Sequence, residues 1–342
     1  MRGKGINYDT GFSPAGENSR PDFDADVVGQ EMQIIAEDLR CTAVRITGGE
    51  PERLSVAAEH AAAAGLEVWF SPFPCELTIE QLRPFLSECA ERAEQVRSSG
   101  APVVFVTGCE LTLFSAGFLP GASTFERIAN LQSGSPELYA AFGKLPGKLN
   151  GLLAEAARDA RRRFGGPISY ASGMWEPVNW AAFDIAATDA YRDAGNAGRF
   201  RDELRARRAA GKPLVVTEFG CCAYTGAADR GGMGWAILDE SSDPPRLNGE
   251  YTRDEAEQVR YLAEMWPVFE AEQVDLAFWF TFAGYQLTHE TAPQSDLDMA
   301  SYGVVKMLAG GPGSGYQGLG WEPKLAFETL ASLPVGAEVR RD

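Results

Sequence analysis

The chain has 342 residues, 45% of them hydrophobic and 11% aromatic, a composition that fills a packed core and excludes intrinsic disorder. A formal net charge of −17 excludes nucleic acid as a partner, because phosphate binding needs a basic surface. No apolar run reaches the roughly 18 residues of a membrane span, and the opening MRGKGINYDTG lacks the apolar stretch of a secretory signal, so membranes are not expected as partners and a cytoplasmic setting is.

Apolar, β-branched runs with turn signals recur along the chain. They are GINY (5–8), TAVRI (42–46), LEVWF (66–70), PVVFVT (102–107), PISYA (167–171), DIAATD (184–189), PLVVTE (213–218) and VDLAFWF (274–280). Between them lie amphipathic helical patterns at 31–40, 53–65, 88–100 and 152–165, three of the four ending at a glycine suited to a helix C-terminus. The interval between the fifth and sixth runs is short, so a full covering helix is not expected there. A last helix is expected over 321–333. Apolar strands alternating with helices predict a parallel sheet covered on both faces, and eight such units predict a closed (β/α)8 TIM barrel as one domain over 1–342. A doubly wound open sheet is the competitor, but GINYDTG after the first strand is not a phosphate-binding turn.

Long excursions follow the fourth, seventh and eighth strands, at about 109–135, 219–250 and 281–320. Barrel enzymes build their sites at those ends. Two of the ends carry a glutamate: VVFVTGCE places Glu110 after the fourth strand, and VVTE places Glu218 at the end of the seventh. Cleavage of a glycosidic bond needs such a pair, one carboxyl to protonate the leaving oxygen and one carboxylate to attack the sugar carbon. Asn7, Tyr8 and Asp9 after the first strand, and Trp175 and Glu176 in GMWEPVNW, are further candidates to line the pocket.

TEFG at 217–220 and GCE at 108–110 resemble the strand ends of the retaining glycoside hydrolases of clan A. The resemblance implies Glu218 as nucleophile and Glu110 as acid/base, with no cofactor and no metal. It also implies that Arg45 supports the nucleophile and keeps it ionised, that Tyr191 hydrogen-bonds it, and that Trp279 floors the sugar subsite. The family has asparagine where Cys109 stands, and that asparagine contacts the sugar 2-hydroxyl. Either another side chain takes over, or the substrate lacks an ordinary 2-hydroxyl, or the reaction is not plain glycoside hydrolysis. The stretch at 221–235 also resembles proteins loosely labelled as abortive-infection proteins.

A small-molecule or glycoside substrate is therefore expected; no oligomeric state is legible. Two other readings stand beside it: a cyclase, lyase or isomerase reusing the same carboxylates, and a catalytically silent binding protein. The remaining motifs read as structural. Cys221–Cys222 reads as small packing residues, the basic ELRARRAAGK (203–212) as a solvated helix face, and Asp296 and Asp298 as a loop-stabilising cluster rather than a cation site. His289 is the one credible catalytic imidazole.

Overall fold

The computed structural model describes residues 1–14, 16–131, 134–209, 211–239 and 241–334. Eight parallel strands close a barrel: β1 (Gly3–Asp9), β2 (Ala43–Gly48), β3 (Glu67–Pro72), β4 (Val103–Cys109), β5 (Ile168–Gly173), β6 (Ala186–Asp189), β7 (Leu214–Phe219) and β8 (Leu276–Trp279). The closing pair is β1 against β8, with Gly5 opposite Phe278 and Ile6 opposite Trp279. This is the (β/α)8 architecture expected from the eight apolar runs.

Because side chains alternate across a strand, each strand feeds two cores. Ala43, Trp69, Val104, Val106, Ala187, Val215, Leu276 and Phe278 meet inside the barrel. Ile6, Val44, Ile46, Val68, Phe70, Phe105, Ile168 and Val216 face the surrounding helices. Those helices include α1 (Ala25–Glu37), α2 (Pro51–Ala63), α3 (Ile79–Ser98), α4 (Pro136–Arg161), α5 (Phe200–Ala206), α6 (Glu255–Ala271) and α7 (Leu325–Ser332). Between β5 and β6 there is only a single 3₁₀ turn at Trp180–Ala182, as the short interval demands.

Several boundaries differ from expectation, and α3 begins at Ile79, nine residues before the pattern read at 88–100. Helix α1 starts six residues earlier than read, because the Asp24 side chain accepts from the backbone N–H of Asp26 and Val27 and caps it. Helix α4 runs through Pro146, and the Asn150 side chain donates to the Pro146 carbonyl at 2.8 Å. In place of the first turn of the expected last helix, Trp321–Pro323 forms a strand antiparallel to Val305–Leu308.

A buried carboxylate fastens the first and last parts of the chain. Glu31 on α1 accepts from the Tyr8 hydroxyl, from Arg20 Nη2 at 3.1 Å, from the Tyr285 hydroxyl at 2.9 Å and from Trp321 Nε1 at 2.9 Å. Tyr8 thus faces the helix layer and not the pocket. The excursion after β8 is fastened similarly. Arg253 donates to Asp296 at 3.0 Å and Asp298 at 2.9 Å, and Lys324 Nζ lies 2.9 Å from Asp298. His289 pairs with Asp296 at 3.0 Å. Side-chain cations therefore fill the Asp-x-Asp spacing, and the imidazole is part of that cluster. All six cysteines are unpaired thiols; Cys221 and Cys222 are fully buried, in keeping with packing residues. The basic stretch before β7 is less solvated than read: Arg205, with Arg201 beside it, clasps the buried Glu272 at 2.8–2.9 Å. No helix among the described residues is long and apolar enough to cross a membrane.

Candidate active site

Two bulges shape the strand ends that carry the candidate glutamates. On β7, Val216 pairs with Thr188 and Ala277, whereas Glu218 pairs with Asp189 and Phe219 with Trp279. One extra residue is thus accommodated near Thr217. Val216 and Phe219 both face the helices; strict alternation from Val216 would have turned Glu218 outward as well. The bulge turns it in. On β4, Val106 pairs with Ser169 and Cys109 with Ala171, again one residue more than on the neighbour. Phe105 faces outward, and alternation would have sent Cys109 the same way, yet Cys109 joins the interior cluster.

Gly108 makes the second bulge possible. Its φ is +113°, and a Cβ there would lie 2.9 Å from Leu111 Cδ2. Gly108→Ala is expected to cost about 1–3 kcal/mol from backbone strain, read as a lower urea midpoint in equilibrium unfolding. An unchanged midpoint would mean that the turn before Glu110 is not constrained as described.

The Glu218 side chain is 13% exposed and held on both oxygens. Arg45 Nη1 donates to Oε1 at 2.6 Å, and the Tyr191 hydroxyl donates to Oε2 at 2.9 Å. Arg45 is fully buried and held in turn: Nη1 also reaches Asn7 Oδ1 at 2.9 Å, and Nε reaches Ser71 Oγ at 3.1 Å. Burial alone would lower the Arg45 pKa, but Cys109, Glu218 and Asp189 around it outweigh burial and raise it. Burial, with Glu218 next, pushes the Tyr191 hydroxyl up, so it stays a donor.

Glu110 lies just past β4 in the left-handed region, at φ 42° and ψ 42°. A non-glycine residue there is strained and needs support. The support comes from β5 and the turn beyond it. The N–H of Leu111 donates to the Tyr170 hydroxyl at 2.9 Å, and the N–H of Thr112 donates to Glu176 Oε1 at 3.1 Å. Trp175 Nε1 donates to Thr112 Oγ1 at 3.0 Å. Burial first, then the neighbouring carboxyl groups of Asp189, Glu218 and Glu176, push the Glu110 carboxyl well above the usual carboxylate range. Burial likewise raises Glu176, to about 7.

Several expected pocket residues serve elsewhere. Trp279 is fully buried on the outer side of β8, its ring 5.4 Å from that of Phe219, and it donates to the Tyr302 carbonyl at 3.0 Å. It sits opposite the interior-facing Phe278, so it cannot floor a subsite. Phe280, the next residue, is half-buried and lies 5.6 Å from the Tyr302 ring, which packs on Tyr191. Asn7 uses its amide on the carbonyls of Thr217 and Trp279 and its oxygen on Arg45, so it braces the guanidinium. Asp9 accepts from Gly11 N at 2.7 Å and Ser19 Oγ at 2.6 Å, which ties down the loop after β1. Trp175 and Glu176 brace the turn after Glu110.

One residue at the centre escaped the sequence reading. Asp189, at the end of β6, is 2% exposed. Its Oδ2 lies 3.4 Å from Cys109 Sγ, which is 3.7 Å from Glu218 Oε1. The only signal for it was its place at the end of a strand, two residues before Tyr191.

No family model matches the chain, and no curated protein matches it in sequence. In structure it is similar to a β-1,4-mannanase of glycoside hydrolase family 113, at 14% identity, with 97% of this chain and 98% of that one covered and a TM-score of 0.61. It is also similar to the family 113 β-mannanase of Alicyclobacillus acidocaldarius, at 14% identity, with 97% and 96% covered and a TM-score of 0.57. A β-glucuronidase of Parabacteroides merdae matches at 12% identity with a TM-score of 0.56, covering 99% of this chain and 37% of that one. The abortive-infection likeness of 221–235 finds no support among these neighbours. At such identities the likeness is one of fold alone, that of the closed (β/α)8 barrel.

Proposed function

We propose that the protein is a retaining glycoside hydrolase or transglycosidase. In the first step the Glu218 carboxylate attacks the anomeric carbon. The bond to the leaving oxygen breaks, and that oxygen keeps the electron pair and takes the Glu110 proton. In the second step Glu110, now a carboxylate, removes a proton from water or an acceptor hydroxyl, which displaces Glu218 from the sugar. Arg45 and Tyr191 orient Glu218 through both steps. The observation that carries this reading is the double anchoring of Glu218 by Arg45 and Tyr191, beside a second carboxyl, Glu110, whose surroundings favour its protonated form. The mannanase and glucuronidase neighbours support a glycoside as substrate class.

The test is covalent trapping with a panel of 2-deoxy-2-fluoro aryl glycosides, followed by peptide mapping. A label on Glu218 is expected. Cys109, buried between two carboxyls, favours as second reading a lyase or isomerase that uses the carboxylates for proton transfer. Absence of any label across the panel would favour it.

A further inference from the structure

One guanidinium serves more than one acid at the centre of the barrel. Arg45 Nη1 lies 2.6 Å from Glu218 Oε1 but 4.0 Å from Asp189 Oδ1. That Asp189 oxygen makes no hydrogen bond of ordinary geometry among the described residues, and the Thr217 hydroxyl beside the carboxyl, itself unbonded, opposes the rise in its pKa without prevailing. The other, Oδ2, faces Cys109 Sγ, and the same sulfur faces Glu218 Oε1. A thiol has one proton to donate and a weakly accepting sulfur. If both carboxyls were ionised, the thiol could satisfy one of them, and a second buried negative charge would be left poorly compensated, at a cost of several kcal/mol.

We infer that Asp189 sits in this site as a neutral acid that donates to Cys109, so that the Cys109 thiol proton points at Glu218. Asp189 is then a positioning residue: through the sulfur it supplies Glu218 Oε1 with a second donor beside Arg45. The groups facing Asp189 are Arg45 from β2, Cys109 and Glu110 from β4, Tyr191 from the segment after β6, and Glu218 from β7. Only Arg45 among them is a cation, and its direct bond goes to Glu218. Burial, then the Glu218 charge, push the Asp189 carboxyl up, and Arg45 opposes them without prevailing. Burial above all pushes the Cys109 thiol up, and the Glu218 charge adds to it, so the sulfur keeps its proton.

The catalytic consequence rests on Glu218 being the nucleophile; the hydrogen-bond arrangement does not, and both measurements below need no substrate. In the full chain with ¹³Cγ-labelled aspartate, the signal lost in Asp189→Asn should hold its neutral-acid position through pH 7. A titration midpoint near the ordinary aspartate value of about 4 would overturn the inference. The S–H infrared band of Cys109, assigned by subtracting Cys109→Ala, should move to higher frequency in Glu218→Gln, where the acceptor is weaker. A band that ignores Glu218→Gln and moves in Asp189→Asn would mean that the thiol points at Asp189 instead. The ligand atoms of Cys109, Asp189 and Glu218 also lie within 4.8 Å of one another, a spacing open to a cation. Stoichiometric zinc that shifts the Asp189 signal and removes the S–H band would replace the inference with a metal site. Failure of glycoside trapping with these results intact would sink the function but not the proton arrangement.

Discussion

Glu218→Gln is expected to lower turnover of any glycoside substrate by at least about a thousandfold, since it removes the attacking oxygen and leaves the scaffold in place. The substitution is nearly isosteric, so the amide can still meet the Tyr191 hydroxyl. It also takes away the carboxylate that pairs with fully buried Arg45 at 2.6 Å. Breaking a buried ion pair by removing one partner costs about 3–5 kcal/mol when the other charge is left uncompensated. Arg45 keeps its bonds to Asn7, Ser71 and the Thr217 carbonyl, so the stability loss should fall below that range. Steady-state kinetics and urea unfolding on the same preparation separate the two effects. A variant that is folded and still turns over at the wild-type rate would remove Glu218 from the mechanism.

The largest stability effect is expected away from the site. Glu31→Ala should cost about 3–5 kcal/mol, because it leaves Arg20, 2% exposed, without its carboxylate and strips an acceptor from Tyr8, Tyr285 and Trp321. Arg20 also lies over the Tyr285 ring at 3.8 Å, so the loops after β1 and β8 should loosen together. Glu31→Gln fills the same volume and keeps one acceptor oxygen for the phenols, at the expense of the charge and of the acceptor facing the Trp321 indole, so it should cost less than Glu31→Ala. Urea unfolding of the two variants checks the order. Equal losses would show that the lost charge, and not the cavity, dominates at this position.

Much of the architecture could be read in advance because it depends on local pattern. Runs such as VVFV and LVV are apolar on successive residues, which only a sheet covered on both faces tolerates, and their recurrence demanded a barrel. The placement of Glu110 just past β4 and of Glu218 at the end of β7 followed from the same count, as did Arg45 near the end of β2. Trp279 shows where the method failed. Its place at the end of the eighth run suggested the mouth, but the pleat assigns alternate residues to opposite faces, and with Phe278 inside, Trp279 had to lie outside. A one-residue offset decides a side chain's face, and apolar runs of this kind carry no alternation from which to read it.

What the sequence determined by itself was the number and order of strands and helices and the ends at which carboxylates stand, because periodicity and turn residues act over a few positions. Tertiary structure alone decided which way those carboxylates point. The bulges on β4 and β7 appear only as a register mismatch with β5, β6 and β8. The same holds for Asp189, joined to Arg45, Cys109 and Glu218 across four strands of the closed barrel, and for Glu31, whose partners come from residue 8 to residue 321. Both are buried polar groups whose partners are distant in sequence, and folding satisfies them through contacts that no local pattern encodes.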